Sequence, residues 1–547
     1  MISAAANGLW LAGCLREACR FRAATGRVRD AQLQVLREIL RANEGTVFGR
    51  RYGLRTVTTA REYQTRVPIR SYDEYEPDIR RIAAGERGVL TRERVRLFEP
   101  TSGSAAPTKL IPYTRLLQDQ FRRAIKTWIA DLFTSDPDLM RGQAYWSVSP
   151  VTSGATRTPG GIPIGFDDDS AYVGGWRGAL VRAVMAAPAS LRHLADIQEF
   201  QYETLLALVR SDSLRLISIW NPTFLSIIVD GLLPCADRLL RDLHDTPRRA
   251  HVLRQALNAS ASSERHAILW PRLRLISCWA DANAAAPATQ LAALFPQARI
   301  QPKGVIATEG FVSVPLGGRD GSVLAARSHF FELAPVDSHG DVDERSPLLA
   351  HELEAGQRYA VILTTAGGLY RYRLNDVVEV IGHERECPVI RLTGRHGYVS
   401  DWFGEKLHEA HVGAVLRDAL ASAQPVFAML ACDRDLSPPA YVLYVDTEAD
   451  DETLVGLGDR IDRMLRANFH YGYARLLGQL GAVRVFRAAR AAETYLAAAV
   501  AAGQRAGDVK PLALDRRDGW SSRFTGRSIP PPSRSTPSGS APLRLAR

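Results

Sequence analysis

Residues 101 to 112 read Thr-Ser-Gly-Ser-Ala-Ala-Pro-Thr-Lys-Leu-Ile-Pro, a hydroxyl-rich segment that contains one lysine. Hydroxyl groups, backbone N–H groups and an ammonium group are the donors that proteins use to hold phosphate oxygens. The segment therefore predicts a phosphate-binding loop formed by Thr101, Ser102, Gly103, Ser104 and Lys109. A loop of this composition alone is more often an ordinary turn, so its meaning depends on the rest of the chain.

Lysine is scarce in this chain. Only five of the 69 basic residues are lysines, namely Lys109, Lys126, Lys303, Lys406 and Lys510. A compact, rotatable ammonium group cannot be replaced by a planar guanidinium at a phosphate or at a reacting oxygen. The lysines that remain in an arginine-rich chain are therefore candidates for chemistry. Lys126 has the setting of an ordinary helix-surface residue, whereas the other four lie in segments flanked by Gly, Pro or acidic residues.

The length of 547 residues exceeds what one hydrophobic core usually supports, so we expect two or more domains. The net charge of +10 comes from the two ends of the chain. Residues 1–51 hold nine Arg and four acidic residues, and residues 521–547 hold five Arg and no acidic residue. The body between them is close to neutral and lacks the basic stripe that nucleic-acid binding needs, so we expect no nucleic-acid partner.

The six cysteines are spread without any CxxC pair, which excludes a disulfide scaffold and a cysteine-rich zinc site. This spacing favours a reducing, cytoplasmic location. No segment has the length of a membrane span, so we expect no integral membrane segment. Leu9 to Phe21 is interpreted as an amphipathic helix.

Local patterns place the hydroxyl-rich loop between two strands. Ser71 and Glu74 predict a capping box that starts a helix, and Thr114 predicts the N-terminal cap of a long helix. Val95 to Phe98 and Lys109 to Tyr113 have the pattern of strands on either side of the loop. A Walker loop instead runs directly into a helix, with its lysine at the helix start, so this loop is not of the Walker type.

Strands are also predicted at Leu214 to Trp220 and Leu273 to Trp279, each followed by a helix, which indicates a parallel sheet. Ligands collect at the carboxyl ends of such strands, so Trp220 and Trp279 are candidate pocket walls. Buried core aromatics would have the same pattern. Later segments predict strands over 328–380, a hinge over 394–404, a small α+β domain with a long helix over 459–477, and a disordered tail from Ser521 onward.

Three further segments accompany the loop in chain order. They read Ala307-Thr308-Glu309-Gly310, Tyr370-Arg371-Tyr372-Arg373-Leu374-Asn375-Asp376 and Gly404-Glu405-Lys406-Leu407, and they are followed by Gly507-Asp508-Val509-Lys510-Pro511. In this order, the segments resemble those of the acyl-acid amido synthetases of the auxin-responsive-promoter (Gretchen Hagen) family, a branch of the firefly-luciferase-like adenylate-forming enzymes. The resemblance covers about Gln32 to Leu512, and its specificity lies in the ordered set.

The resemblance implies an α/β fold class, with a large N-terminal domain of flavodoxin-like parallel sheets and a β-barrel, plus a small mobile α+β C-terminal domain. The corresponding division is an ATP- and acyl-acid-binding domain over 1–394, a cap domain over 395–520 and a disordered basic tail over 521–547. The implied activity is ATP-dependent activation of a carboxylic acid as acyl-adenylate, followed by amide formation with an amino acid. We expect a monomer that uses ATP and Mg²⁺.

Each motif carries a role from the resemblance onto this chain. Thr101, Ser102, Gly103, Ser104 and Lys109 match the phosphate loop, and Thr308 and Glu309 match the segment that meets the α-phosphate, with Glu309 as the Mg²⁺ ligand. Asp376 matches the acid on the ribose hydroxyls, with Arg395 nearby. Lys510 matches the C-terminal catalytic lysine, with Lys406 as the next residue to test for that role, and Lys109 is the second catalytic lysine.

Two departures from the family pattern stand out. Ala105-Ala106-Pro107 replaces more glycine-rich sequence in the loop, which stiffens it. Asn375 stands where glycine commonly precedes the ribose acid, and because Asn tolerates the left-handed conformation we expect the turn to be kept.

Two alternative functions stay open. One is an acyl-CoA or acyl-carrier ligase, which shares the first half-reaction, and the other is a catalytically silent relative that binds an acyl-adenylate. The sequence does not identify the acid or the amino acid.

Overall fold

A computed structural model describes residues 2–101, 109–147, 157–165, 184–194, 196–337, 341–397, 399–400, 402–403, 405–476, 478–502, 504 and 509–530. The chain divides into two compact units. The first unit comprises residues 1–398, 408–413 and 492–512, and the second comprises residues 399–407, 414–491 and 513–547. The three-part division at residues 394 and 520 stays a prediction.

Helices occur along most of the described chain. In chain order they are α1 Ile2–Ala24, α2 Val28–Asn43, α3 Val47–Arg51, α4 Ala60–Arg66, α5 Tyr72–Ala83, α6 Arg115–Ser135, α7 Ile197–Arg210, α8 Pro222–Asp230, α9 Ala236–Asp242, α10 Pro247–Leu257, α11 Ser262–Leu269, α12 Ala285–Leu294, α13 Glu409–Ala419, α14 Asp451–Val455, α15 Leu457–Leu465, α16 Phe469–Leu476, α17 Ala491–Ala501 and α18 Trp520–Arg523. Short 3₁₀ helices lie at Leu54–Thr56, Pro137–Arg141, Ala189–His193, Ala282–Ala284 and Ala350–Glu352.

The strands form several separate sheets. In chain order they are β1 Leu97–Thr101, β2 Lys109–Tyr113, β3 Gln143–Trp146, β4 Leu214–Ser218, β5 Leu275–Cys278, β6 Arg299–Pro302, β7 Ile306–Ala307, β8 Gly310–Phe311, β9 Ser313–Val314, β10 Ser322–Leu324, β11 Phe330–Val336, β12 Leu348–Leu349, β13 Arg358–Thr364, β14 Tyr372–Glu384, β15 Cys387–Arg395, β16 Val399–Ser400, β17 Leu407–His408, β18 Phe427–Asp433, β19 Ala440–Asp446, β20 Arg484–Ala489, β21 Leu514–Asp515 and β22 Thr525–Ile529.

The local signals around the loop predict the helices correctly. The side chain of Glu74 accepts hydrogen bonds from the backbone N–H and the hydroxyl of Ser71, at 2.7 and 3.1 Å, which completes the predicted capping box at the start of α5. The Thr114 hydroxyl accepts the N–H of Leu117 at 3.1 Å and caps α6. Both caps satisfy N–H groups that the first turn of a helix leaves without partners.

The first unit contains the predicted parallel sheet, with the strand order β3-β4-β5-β6. All four residues of β5 are buried, since helices that follow β4 and β5 supply apolar side chains around the sheet. Burial on both faces is typical of parallel strands with helical crossovers. The prediction of βα units from Leu214 and Leu273 onward is confirmed.

A second sheet of the first unit is antiparallel, with the strand order β12-β11-β13-β14-β15-β10-β9. Among the described strands, β12 and β9 lie at opposite edges and do not pair with each other. The predicted β-barrel is therefore a half-barrel in the described part of the chain. The predicted α/β fold class is confirmed, and the strands predicted over 328–380 correspond to β11 to β14.

The second unit is built on one mixed sheet with the strand order β21-β18-β19-β20-β22. β18 pairs antiparallel with β19, and β19 pairs parallel with β20. The small α+β domain predicted after the hinge corresponds to this sheet and its helices.

Two sequence predictions for the second unit are wrong. The helix predicted over 459–477 is two helices, because the Asn468 side chain accepts the N–H of Tyr471 at 3.0 Å and starts α16 anew. The tail predicted to be disordered from Ser521 contains β22, which pairs with β20 from Ala489↔Thr525 to Val485↔Ile529. Residues 531–547 lie outside the described part of the chain.

Within the described part of the chain, no helix is both long enough and apolar enough to cross a membrane. The N-terminal helix α1, predicted to be amphipathic over Leu9 to Phe21, packs within the first unit. Its Trp10 lies against Phe133 and Trp146, with ring centroids 6.2 and 5.8 Å apart.

A buried ion pair joins the antiparallel sheet to the N-terminal region. The Arg371 Nη2 atom lies 2.9 Å from Glu332 Oε1, and both side chains are almost fully buried. Arg371 Nη1 also donates to the backbone oxygens of Gln64 and Val67, at 2.7 and 2.6 Å. Removing one partner of such a pair leaves an uncompensated buried charge, which costs about 3–5 kcal/mol.

We therefore expect Glu332→Gln to lower the free energy of unfolding of this protein by roughly 3 kcal/mol. The measurement is urea unfolding followed by circular dichroism. Glu76→Gln is the matched control, because Glu76 pairs with Arg80 at the surface and exposed pairs contribute less than about 1 kcal/mol. Equal effects of the two substitutions would contradict a structural role for the buried pair.

Candidate functional site

The strands β1 and β2 close the ends of the hydroxyl-rich loop. They pair antiparallel, and Thr101 is directly opposite Lys109. Neighbouring strands lie about 4.8 Å apart, so residues 102–108 connect two adjacent backbone positions. The predicted phosphate-loop residues Ser102, Gly103 and Ser104 lie outside the described residues, and of Thr101 only the backbone is described.

Lys109 begins β2, and its Nζ atom lies 5.2 Å from the centre of the Tyr72 ring. The hydroxyl of the same tyrosine accepts the N–H of Leu110 at 2.8 Å. The face of an aromatic ring attracts a cation. Tyr72 from α5 thus positions both the start of β2 and its lysine.

Thr308 and Glu309 form the turn between β7 and β8. The Tyr113 hydroxyl donates to the Thr308 backbone oxygen at 2.6 Å, which ties this turn to β2. Glu309 is buried, and its Oε1 accepts a hydrogen bond from the Tyr372 hydroxyl at 3.0 Å. Burial and the nearby Glu309 carboxylate raise the pKa of Tyr372 well above its ordinary value, so this hydroxyl keeps its proton.

Asp376 and Arg395 are direct cross-strand neighbours on β14 and β15. Arg395 Nε donates to Asp376 Oδ1 at 2.9 Å, and Asp376 is 2% exposed. The Asp376 carboxylate, with smaller contributions from Glu309 and Glu409, raises the pKa of Arg395. Both predicted carboxylates of the site thus act electrostatically on Arg395, and Asp376 also binds it directly.

Asn375 precedes the predicted ribose acid in the left-handed conformation, with φ of 68°. Its backbone oxygen accepts the N–H of His396 at 2.6 Å. Asn is among the few residues other than glycine that adopt this conformation readily. The expectation that Asn keeps the turn is therefore confirmed.

An open cavity of about 620 Å³ lies next to this turn. The cavity is lined by Val342, Asp343, Glu344, Arg345, Arg373, Asn375, His396 and Gly397. Its volume is within the range of small-molecule sites. Its polar lining suits a polar ligand.

The structure places Lys510 with a different group of residues, at the carboxyl ends of the parallel sheet. Its Nζ atom lies 4.6 Å from the centre of the Trp279 ring. The Asn221 amide donates to the backbone oxygen of the preceding residue, Val509, at 2.9 Å. The Trp279 and Trp220 ring centroids lie 5.9 Å apart at the ends of β4 and β5, and the two rings are called the aromatic wall below. That they line a pocket stays a prediction.

Lys303 follows β6 at the same edge of the sheet and is 7% exposed. Its Nζ atom donates to the Ser218 hydroxyl at 2.6 Å and lies 4.9 Å from the Trp220 ring centre and 5.3 Å from that of Trp128. Burial lowers the pKa of Lys303 to about 7. The same enclosed environment raises the pKa of Cys278 to about 12.

The scarcity of lysine singles out Lys303 in the sequence but gives it no role. Sequence patterns do not identify Tyr72, Tyr113 and Tyr372 as site residues, because their partners come from distant parts of the chain. Lys406, the alternative catalytic lysine, is exposed in the second unit, with φ of 42°.

The donor set at Glu309 fits a magnesium ion. Within the described residues, no group of three or more His, Cys, Asp or Glu side chains could hold a metal. Mg²⁺ usually takes one or two protein carboxylates, and substrate phosphates and water complete its octahedron. Among the described residues, none hydrogen bonds to Glu309 Oε2, so this oxygen is available to a ligand.

The low pKa of Lys303 predicts a titration that can be observed directly. With lysines labelled at ¹³Cε, the chain gives at most five lysine signals. The signal of Lys303 is the one that is absent from the spectrum of Lys303→Met. It should titrate with a midpoint near pH 7 in the folded protein and at the ordinary lysine pKa of about 10.4 in urea. A titration midpoint near pH 10 in the folded protein would contradict the lowering of the Lys303 pKa by burial.

The sign of the stability change follows from the same pKa. Between pH 7 and the ordinary lysine value, the unfolded chain binds more protons at Lys303 than the folded chain does. The free energy of unfolding therefore gains a contribution that rises with pH over this window. Lys303→Met should abolish that contribution.

The sequence matches two models of one protein family. The family model described as the GH3 family N-terminal domain matches residues 18–300, and the GH3 family central domain model matches residues 322–395. The indole-3-acetic acid-amido synthetase GH3.3 of Arabidopsis thaliana is 24% identical over 444 residues, which cover 72% of each chain. A GH3 domain-containing protein of Mus musculus is 27% identical over 255 residues, covering 44% of this chain and 47% of its own.

A solved structure has the same fold. The acyl acid amido synthetase GH3.15, in complex with 2,4-DB, superposes with a TM-score of 0.82 at 18% sequence identity and covers 95% of this chain and 98% of its own. Because the N-terminal family model alone matches more than half of the residues, the chain belongs to the GH3 family.

Proposed function

We propose that this protein is an ATP-dependent ligase that activates a carboxylic acid as acyl-adenylate and joins it to an amino acid through an amide bond. The observation that carries the proposal is that β14 and β15 hold Glu309 and Asp376 through hydrogen bonds, and that Tyr113 ties the turn of Glu309 to β2, the strand that starts at Lys109. The names of the relatives support it, since these include indole-3-acetic acid-amido synthetases and an acyl acid amido synthetase.

The first half-reaction needs cationic and hydrogen-bonding groups at the phosphates. The carboxylate of the acid attacks the α-phosphorus of ATP, and the bond to pyrophosphate breaks. Negative charge accumulates on the leaving oxygens, and preorganised donors lower the barrier by stabilising that charge. We assign this role to Lys109, Thr101, Ser102, Gly103, Ser104 and Thr308.

We assign Glu309 to Mg²⁺ and Asp376 to the ribose. A magnesium ion at the phosphates would neutralise charge and orient the leaving group. The Tyr372 hydroxyl holds Glu309 Oε1 and leaves Oε2 toward the ligand. Arg395 likewise holds Asp376 Oδ1, so that Oδ2 can accept from a ribose hydroxyl.

Lys510 is assigned to the reacting carboxylate. An ammonium group there would offset the repulsion between the carboxylate and the α-phosphate in the adenylation step. In the second half-reaction the amine of the amino acid attacks the acyl carbon, AMP leaves, and the amine loses a proton. The ammonium group of Lys510 is therefore needed in adenylation and has no assigned role in amide formation.

An acyl-CoA or acyl-carrier ligase is the nearest alternative, because it shares adenylation and differs in the acceptor. The amido synthetase relatives favour an amine acceptor over a thiol. We also propose a cytoplasmic location, which rests on the cysteine spacing in the sequence.

The function is tested by pyrophosphate release with ATP, Mg²⁺ and a panel of aromatic and aliphatic acids, followed by mass spectrometry with the twenty amino acids or with coenzyme A. We expect an amide with an amino acid and no thioester. Glu309→Gln should lower pyrophosphate release at least about 100-fold, since it loses a metal carboxylate. Glu386→Gln, at an exposed turn, is the control and should match the wild type.

Three results would contradict the proposal. No pyrophosphate release with any acid would favour a silent relative. A thioester without an amide would favour the thiol ligase. Full activity of Glu309→Gln across a Mg²⁺ titration would remove Glu309 from the metal site.

Lys510→Ala should separate the two half-reactions. If the ammonium group acts only in adenylation, the variant loses about 100-fold or more in that step, as expected for one preorganised donor. A synthetic acyl-adenylate should still react with the amino acid at a rate close to that of the wild type. Lys510→Arg should restore little of the adenylation rate, because a planar guanidinium group does not replace a compact ammonium group.

The matched control for Lys510→Ala is Lys126→Ala. Lys126 lies on α6 and has no assigned role in the site. The readouts are single-turnover adenylation and aminolysis, measured separately. Equal loss in both steps, or normal adenylation by Lys510→Ala, would move the role to another residue, with Lys406 next.

A further inference from the structure

The Lys303 amine lies in an enclosed place, and no carboxylate of the described residues pairs with it. Among the described residues, Ser218 is its one hydrogen-bond partner, and none forms an ion pair with it. An ammonium group has three N–H donors. The rings of Trp220 and Trp128 attract its charge but accept no conventional hydrogen bond from it. Lys303 therefore has unused capacity to bind an acceptor.

The sheet face beside Lys303 carries a second unsatisfied polar group. Ser218 lies directly opposite Ser277 in the strand register, so both side chains are on one face of the sheet. Ser277 is fully buried, and its hydroxyl has no hydrogen-bond partner among the described residues. Buried hydroxyls in folded proteins are rarely left without partners. Two independent groups on this face thus point to a ligand.

The aromatic wall lies between Lys303 and Lys510, the predicted catalytic lysine. Trp279 lies under the Lys510 ammonium at 4.6 Å, Trp220 lies 5.9 Å from Trp279, and the Lys303 ammonium lies 4.9 Å from Trp220. The two lysines therefore lie at opposite ends of one wall. A substrate whose carboxylate reacts at Lys510 would extend along the indole rings toward Lys303.

We propose that Lys303 determines substrate specificity by binding a second carboxylate at the far end of the acid substrate. The inference rests on the proposed ligase function. The substrate class is a dicarboxylic acid with a flat or apolar body, which the two tryptophans cover while Ser218 and Ser277 donate to the distal carboxylate. The carboxylate that is activated remains at Lys510.

Proton binding follows from the same arrangement. An anion beside Lys303 favours its charged form and opposes the effect of burial. Cys278 is the titratable group that bears on Lys303 in the described part of the chain, and it stays a neutral thiol. Binding of a dicarboxylate at pH 8 should therefore take up a proton from solution.

The test compares matched acids that differ only in the distal group, namely terephthalate with benzoate and adipate with hexanoate, in the pyrophosphate-release assay. For the wild type, kcat/KM should be at least about 10-fold higher for the preferred dicarboxylate than for its matched monocarboxylate, as a charge-assisted hydrogen bond provides. Lys303→Met keeps the length and removes the ammonium group, and should reverse or abolish this preference. Lys126→Met is the control and should keep it.

Two further measurements distinguish specificity from a structural role. Calorimetry of the preferred diacid in buffers of different ionisation enthalpy should show proton uptake in the wild type and none in Lys303→Met. Lys303→Met should also unfold at the same temperature or a higher one, because a buried ammonium group without an ionic partner destabilises the fold. A lower unfolding temperature would mean that Lys303 stabilises the fold itself, and would overturn the inference.

The outcomes also separate this inference from the proposed function. If the wild type releases no pyrophosphate with any acid, the ligase function fails. If it activates monocarboxylates as well as their dicarboxylate partners, or if Lys303→Met lowers both equally, the ligase function stands and Lys303 has no role at the distal end.

Discussion

The buried ion pair of Arg371 and Glu332 fixes the strand from which most of the candidate site is built. Arg371 precedes β14, and its guanidinium binds Glu332 on β11 together with two backbone oxygens of the N-terminal region. A guanidinium presents its donors in one rigid plane, so several acceptors from separate segments define a single position for it. The next residue, Tyr372, binds Glu309, and Asp376 four residues later pairs with Arg395. The positions of the two carboxylates of the site therefore depend on the ion pair that anchors the start of β14.

The two carboxylates share one design. In each, the protein occupies one oxygen, through Tyr372 at Glu309 and through Arg395 at Asp376, and the second oxygen has no hydrogen bond from a described residue. A carboxylate held in this way cannot rotate freely, so its remaining lone pairs point in a fixed direction before any ligand binds. Groups that need no reorganisation stabilise developing charge better than mobile ones. The same rigidity makes the site sensitive to β14, since a shift of this strand moves Tyr372 and Asp376 together.

The sequence predicted the helix caps and turns that are formed by residues close together in the chain. Ser71 with Glu74 and Thr114 cap helices within four residues of themselves, and Asn375 adopts the left-handed turn because of its own side chain. Predictions failed where the cause is distant: β22 is ordered by pairing with β20, although its neighbourhood is rich in Pro, Ser and Arg. The motifs around Thr308, Asp376 and Lys510 predicted candidate site residues, and the roles of these residues stay predictions. The partners of those residues, such as Tyr113 and Tyr372, come from segments far apart in the sequence, which periodicity and composition do not connect.

The scarcity of lysine and the environment of Lys303 have one physical explanation. Arginine stays charged at any pH that a protein experiences, so an arginine at this position would carry a permanent charge into an enclosed site. A lysine can lose its proton when the site is empty and regain it beside an anion, because burial has brought its pKa to about 7. The energetic penalty of burial is then largely avoided in the free protein, and the charge is formed where an anion compensates it. Guanidinium groups instead lie where their partners are permanent, as in the pairs of Arg371 with Glu332 and Arg395 with Asp376. At Lys303 a lysine therefore suits a charge that depends on what is bound, whereas these two arginines carry a fixed charge.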